Sequence, residues 1–109
     1  MSKLHNYLKS QESLITSVIE GKTLIDFIDR NANEYGDYPA LNTPANKEYS
    51  AWDSISWSEY RETSKALASG LLELGLKPGD TAFIMSNNTK EHNIADLGIV
   101  YTGATPSTL

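Results

Sequence analysis

The sequence predicts an α/β protein whose last elements form a βαβ unit cut at its final strand, and three observations predict it. First, Lys77-Pro78-Gly79-Asp80 places a proline and a glycine where a type II turn needs a fixed φ and a positive φ. Second, the apolar run Thr81-Ala82-Phe83-Ile84-Met85 has the length and content of a strand covered on both faces. Third, Ile94, Leu97, Gly98 and Tyr101 recur at helical spacing, with Gly103 as a stop and the chain halting at Leu109, inside or just before a second strand.

Each element upstream follows from local signals. Residues 1–22 read as a variable amino-terminal arm. Within it Leu4, Tyr7 and Leu8 suit one helical turn, and Leu14 to Ile19 suits an edge strand. Thr23 and Asp26 have capping-box spacing, and Ile25, Ile28, Ala32 and Tyr35 mark one face of a helix that Gly36 ends. Pro39 to Thr43 is a short strand opened by proline, a position strands tolerate. The polar stretch Pro44 to Asp53 is a hairpin or loop, returning through Ser54-Ile55-Ser56. Ser56 and Glu59 form a second capping box, with Ile55 and Tyr60 at staple positions. Tyr60, Ser64, Leu67, Ala68, Leu71 and Leu74 then line the buried face of a helix closed by Gly75. In the final unit Asn88 is the expected cap, with Glu91 three residues on.

Composition excludes several function classes. The chain has 109 residues, 39% hydrophobic and 21% charged, which is ordinary for a globular domain. A net charge of −5 and nine scattered Lys and Arg oppose non-specific binding to nucleic acid or anionic lipid. There is no cysteine, which removes disulfides and thiol catalysis, and the two histidines, His5 and His92, are far apart in sequence. No stretch has signal-peptide character or approaches the ~20 apolar residues of a membrane span, so a cytoplasmic location is expected.

No residue emerges as catalytic, cofactor-binding or metal-binding. Ser86 to Lys90 lies between a strand and a helix N-terminus, where free N–H groups hold anions. It lacks glycine, however, and capping accounts for Asn88. Tyr101 to Thr108 is rich in hydroxyls but has one glycine and no lysine, and helix termination explains it more simply. His92 and Asp29 are assigned to solvent, Asp26 to capping, and Trp52 and Trp57 to packing. Gly98 costs about 1 kcal/mol against alanine within a helix, so a close neighbour is expected there.

The order of these elements resembles the start of the AMP-forming (adenylate-forming) ligases. The residues that carry it are TLIDFIDRNANEYGDYPAL at 23–41, ISWSEY at 55–60, LASGLLELGLKPGD at 67–80 and AFIMSNNTKEHNIADLGIVYTGATPSTL at 82–109. The closing GATPSTL is most similar to long-chain fatty acyl-CoA synthetases. The resemblance implies that 23–109 is an incomplete amino-terminal α/β subdomain of the ligase's large domain. It implies a parent in lipid metabolism that uses ATP, Mg²⁺, a fatty acid and coenzyme A. The family's Ser/Thr/Gly-rich loop, acidic metal-binding motif and catalytic lysine are expected downstream, so none is carried onto this sequence, and the fragment alone is expected to be inactive. A strand cut at Leu109 would leave an unpaired edge through which it self-associates. The rival readings are an enzyme that adenylates another carboxylate, and a self-contained α/β interaction module without catalysis.

Overall fold

A computed structural model describes residues 2–109. The elements run α1 (Lys3–Ile19), α2 (Leu24–Glu34), β1 (Pro39–Pro44), β2 (Trp52–Ser56), α3 (Trp57–Glu73), β3 (Thr81–Ile84), α4 (Lys90–Tyr101) and β4 (Thr105–Thr108). The class is α/β, as expected. β1 and β2 form an antiparallel hairpin, and β3 and β4 form a separate two-stranded parallel sheet joined across α4. All four residues of β4 pair with the four of β3, from Thr81 opposite Thr105 to Ile84 opposite Thr108.

The amino-terminal stretch differs from expectation. Leu14 to Ile19 is no edge strand but the last part of α1, a 17-residue helix. Its apolar residues fall in pairs three and four apart, which is helical spacing, and Ser2 caps its start by accepting from the His5 amide. Ser10 and Ser17 donate their hydroxyls to the carbonyls of Tyr7 and Leu14 at 2.7 Å, so these polar side chains are spent within the helix. No residue of α1 is buried.

Both capping boxes form. Thr23 donates its amide to Asp26 Oδ2 at 2.7 Å at the start of α2. At α3, Ser56 Oγ accepts from the Glu59 amide at 3.1 Å, and Glu59 Oε2 accepts from the Ser56 amide at 3.2 Å. The next two amides of α3, Trp57 and Ser58, reach the carbonyls of Tyr38 and Gly36 and fasten α3 to the segment after α2. The end of α3 is a Schellman motif: the Gly75 amide binds Leu72 O and the Leu76 amide binds Leu71 O. Leu71 and Leu76 then pack together against the core, as that motif favours. Leu74, expected on the buried face, is the cap residue where the chain leaves the helix, and it is 86% exposed. Tyr35 is likewise exposed at the end of α2 and stacks edge-to-face on Tyr38.

The type II turn is present, with Gly79 at φ +88° and the Asp80 amide on Lys77 O at 3.0 Å. The strand that follows is covered on one face only. Ile84 is buried and Ala82 half-buried, whereas Phe83 is 63% and Met85 79% exposed. Alternation along the strand puts these two on the side that no helix covers.

The core lies between α3, α4 and the β3–β4 sheet. Ile84, Ile99 and Ala104 are its buried centre, with Leu71, Leu76, Ala82 and Ala95 around it. Where α3 crosses α4, the contact is made of small residues. Ser64 is fully buried, Ala68 is buried, and Gly98 faces them so closely that a Cβ there would stand 2.9 Å from Leu67 Cδ2. The expected close neighbour of Gly98 is therefore α3.

Candidate functional site

The turn from β3 into α4 is where an α/β protein most readily presents free amides, so its residues were the first candidates. The cap of α4 is Thr89 and not Asn88: Thr89 has extended backbone and its Oγ1 accepts from the His92 amide at 3.4 Å. The extra residue between strand and cap is taken up by the Ser86-Asn87-Asn88 excursion. Glu91 thus sits one position too early to close a capping box.

His92 is not left to solvent. It is half-buried, and its Nδ1 lies 2.8 Å from Ser86 Oγ. Ser86 Oγ also lies 3.0 Å from Asn87 O. A hydroxyl has one proton, so Ser86 donates either to Asn87 O or to His92 Nδ1 and not to both. A general base needs that proton on the His92 side, in competition with Asn87 O. A nucleophilic role would also call for a carboxylate to orient the ring. Asp and Glu make no hydrogen bond to His92 among the described residues. The pair ties the loop to the first turn of α4.

Two grooves flank this turn, and Lys90 borders both. One, of about 690 Å³, lies between β2, α3 and α4 and is lined by Ile55, Glu59, Thr63, Leu67, Lys90, Glu91 and Ile94. The other, of about 230 Å³, lies between Leu41–Pro44 of β1 and Asn88, Thr89, Lys90 and Asn93. In the larger groove one cation faces two carboxylates, which disfavours a polyphosphate. Among the described residues no cluster of three His, Cys, Asp or Glu is placed to hold a metal ion.

A second polar constellation joins α2, α3 and α4, and sequence reasoning missed it. Asp29, assigned to solvent, accepts from the Tyr101 hydroxyl at 3.2 Å and lies 3.9 Å from Arg61 Nη1. Arg61 also donates to Asn33 Oδ1 and to Glu62 Oε1, both at 3.2 Å. Lys65 sits 5.8 Å from the centre of the Tyr101 ring, so Arg61 reaches α2 while Lys65 reaches α4. Burial raises the Tyr101 phenol to about 12, helped by the negative charge and hydrogen bond of Asp29. Burial also raises the Tyr60 phenol, with Asp96 adding to it. The signal that could have found Asp29 is its position, three residues before the buried Ala32 and one after Ile28, at the border of the packed face of α2. These groups are partnered with one another and orient the helices.

The tryptophans divide. Trp57 is half-buried with its ring 6.2 Å from that of Tyr60, as packing predicts. Trp52 is 55% exposed beside Tyr49 on the hairpin, so the packing expectation fails there. β2 lies at the rim of a two-stranded hairpin that has no layer over that face.

Residues 28–109 match the family described as AMP-binding enzyme. The chain is 33% identical over 81 residues to the long-chain-fatty-acid–CoA ligase ACSBG2 of Xenopus laevis, a match covering 74% of this chain and 11% of that protein. A fatty acyl-adenylate ligase from L. pneumophila, solved in complex with acyl adenylate and pyrophosphate, superposes with a TM-score of 0.74 at 21% identity, over 84% of this chain and 16% of that one. The N-terminal subdomain of Klebsiella oxytoca NpsA superposes with a TM-score of 0.68 at 24% identity, over 79% of this chain and 21% of that one. At those identities the two structures establish the fold. The chain spans about a ninth of the length of the Xenopus ligase.

Proposed function

This chain belongs to the AMP-binding enzyme family, and from that premise we propose that it is the amino-terminal scaffold of a fatty acid–CoA ligase. The reaction proposed for the whole protein joins a fatty acid to ATP as an acyl-adenylate, with Mg²⁺, and passes the acyl group to coenzyme A. The observation that carries the reading is the 81-residue match to a long-chain-fatty-acid–CoA ligase, which spans most of the chain. Residues 23–109 are the scaffold and 1–22 a lead-in. In such a ligase further strands would extend the β3–β4 sheet at its edges, and a layer packed on its open face would cover Phe83 and Met85. A cytoplasmic enzyme fits this reading: among the described residues no helix is long and apolar enough to cross a membrane.

The residues present do not fit the nucleotide, the metal ion or coenzyme A. The Ser86–Lys90 loop has no glycine for close approach to phosphate. Lys90, the lone cation of the larger groove, is offset by Glu59 and Glu91. No catalytic step is therefore assigned to this chain, and none of its residues to catalysis, cofactor or metal. Its part is to set α4 and the β3–β4 sheet in place.

ATP–pyrophosphate exchange with long-chain fatty acids tests the proposal. Exchange should match buffer for the 109 residues alone, and should appear with Mg²⁺ when the gene's downstream coding region is included. Exchange by the 109 residues alone would place a nucleotide site in this chain after all. A longer product that exchanges with no fatty acid would refute the ligase reading.

A further inference from the structure

The helix α1 has an apolar stripe with nothing over it. Leu4, Tyr7, Leu8, Leu14, Ile15 and Val18 are each at least half exposed, from 50% at Val18 to 64% at Leu4. Their positions, with Gln11 between, repeat with the heptad spacing of helices that pack side by side. An isolated helix of 17 residues is marginal in water, so a partner for the stripe would fix the helix itself.

We infer that the stripe docks on α1 of a second copy of this chain, with the two helices antiparallel about Gln11. The sequence around Gln11 is self-complementary in that arrangement. Leu4 comes opposite Val18, Tyr7 opposite Ile15 and Leu8 opposite Leu14, and the Gln11 amides meet on the two-fold axis. The charges agree. Each end of α1 has the wrong sign for its own dipole, with no acid in the first turn and no base in the last. Lys3 lies in the first turn and Glu20 caps the end. An antiparallel partner brings Lys3 beside the other helix's Glu20 and carbonyl end, and a parallel partner would set like charges together. A lipid surface fits less well, because Lys3 and Lys9 are balanced by Glu12 and Glu20.

This inference does not rest on the ligase reading, and sedimentation equilibrium on the 109-residue chain tests it. A reversible dimer is expected. Leu8→Asp with Ile15→Asp should weaken it about a hundredfold or more, since each would bury an unpaired charge. The melting transition of the core should survive, because neither side chain is part of it. Having no native cysteine, the chain also reports geometry cleanly. Leu4→Cys mixed with Val18→Cys should form a disulfide between copies, and Leu4→Cys alone should not. A monomer at every concentration overturns the inference, as does a monomer that binds neutral lipid vesicles. Association that persists in the Leu8→Asp/Ile15→Asp variant would move the interface to the β3–β4 edge, and self-crosslinking of Leu4→Cys would make the helices parallel; either overturns it.

Discussion

Gly98→Val should destabilise the chain by ~1–3 kcal/mol, because the crossing of α3 and α4 leaves no room for a side chain. A Cβ at 98 would stand 2.9 Å from Leu67 Cδ2, 3.2 Å from Leu67 Cγ and 3.1 Å from the Ser64 carbonyl oxygen. Carbon atoms rest at about 3.5–4.0 Å, so all three contacts are compressed. The Leu67 side chain can rotate away, but the Ser64 oxygen moves only with α3. Alanine would recover about 1 kcal/mol of helix propensity and spend it on that displacement, leaving Gly98→Ala near neutral or slightly destabilising. Valine adds two more methyl groups and gives back part of the propensity gain through its branched Cβ, so the clash decides.

Urea unfolding followed by circular dichroism measures this. Gly70→Ala supplies the control: it lies on α3 with nothing within 4 Å of its Cβ position, and should stabilise by ~0.5–1 kcal/mol. Leu67→Ala supplies the coupling, since it deletes two of the three compressed contacts at Gly98. Combined with Gly98→Ala it should cost less than the two changes summed, by ~0.5 kcal/mol or more. A Gly98→Val variant as stable as wild type, beside a well-behaved Gly70→Ala, would refute the close crossing. Strict additivity with Leu67→Ala would shift the obstruction to the α3 backbone.

Thr89→Ala should cost ~1 kcal/mol as loss of the α4 cap, whereas Asn88→Ala should be almost silent in the same melts; the reverse order would restore the cap that the sequence suggested. Thr102→Val should cost ~1–3 kcal/mol, because the buried Thr102 hydroxyl donates to Ile99 O at 2.6 Å and accepts the Ala104 amide at 3.2 Å. An unchanged midpoint would mean that water replaces it. Stability should fall as pH rises from 10 towards about 12: the Tyr101 phenol is raised from 10.0 to about 12 by burial and by Asp29, so the folded state favours the neutral form, and its contribution is intact below pH 10 and lost above. Tyr101→Phe should flatten part of that loss in alkaline melts, leaving the share that comes from Tyr60.

The parts of this fold that were legible in the sequence are those fixed by short-range chemistry. Thr23 with Asp26 and Ser56 with Glu59 satisfy helix amides from within four residues, and Lys77 to Asp80 closes its turn the same way, so their chemistry is complete in the string. Gly98 was legible as a demand for closeness, though α3 as its neighbour was not. Failures occur where a partner lies far along the chain. Asp29 and Tyr101 are 72 residues apart, and Arg61 reaches Asn33 across 28. The α4 cap failed by one residue because Asn88 and Thr89 are both good caps, and the chain's path out of β3 chooses between them. The edge strand proposed for Leu14 to Ile19 failed because β-branched residues at 15, 18 and 19 suit either structure, and no neighbouring strand is at hand to pair with.

The uncovered surfaces and the pairing of the polar groups among themselves follow from how these helices pack. Stabilising charge on a transferring phosphoryl group takes several donors and cations aimed at one point in a dry site. Here the long-range polar contacts point the other way: Asp29, Arg61 and Tyr101 use their capacity on one another to hold α2, α3 and α4 in register. Ser86 and His92 similarly tie the β3–α4 turn to the helix it opens. What remains exposed without cover is apolar, Phe83 and Met85 on the sheet and the stripe on α1, while one buried polar atom, the Ser64 hydroxyl, has no hydrogen-bond partner. Ser64 is fully buried where α3 crosses α4 and is closed to a ligand, whereas exposed apolar area is the kind of surface that packed protein covers. On the proposed reading, covering the open face of β3 within a longer ligase and covering α1 with a second copy are separate demands, because the two surfaces belong to different elements. Charge placed on α1 should therefore alter association without touching the proposed adenylation, and charge placed at Phe83 should disturb assembly of the proposed longer ligase while leaving the α1 contact intact.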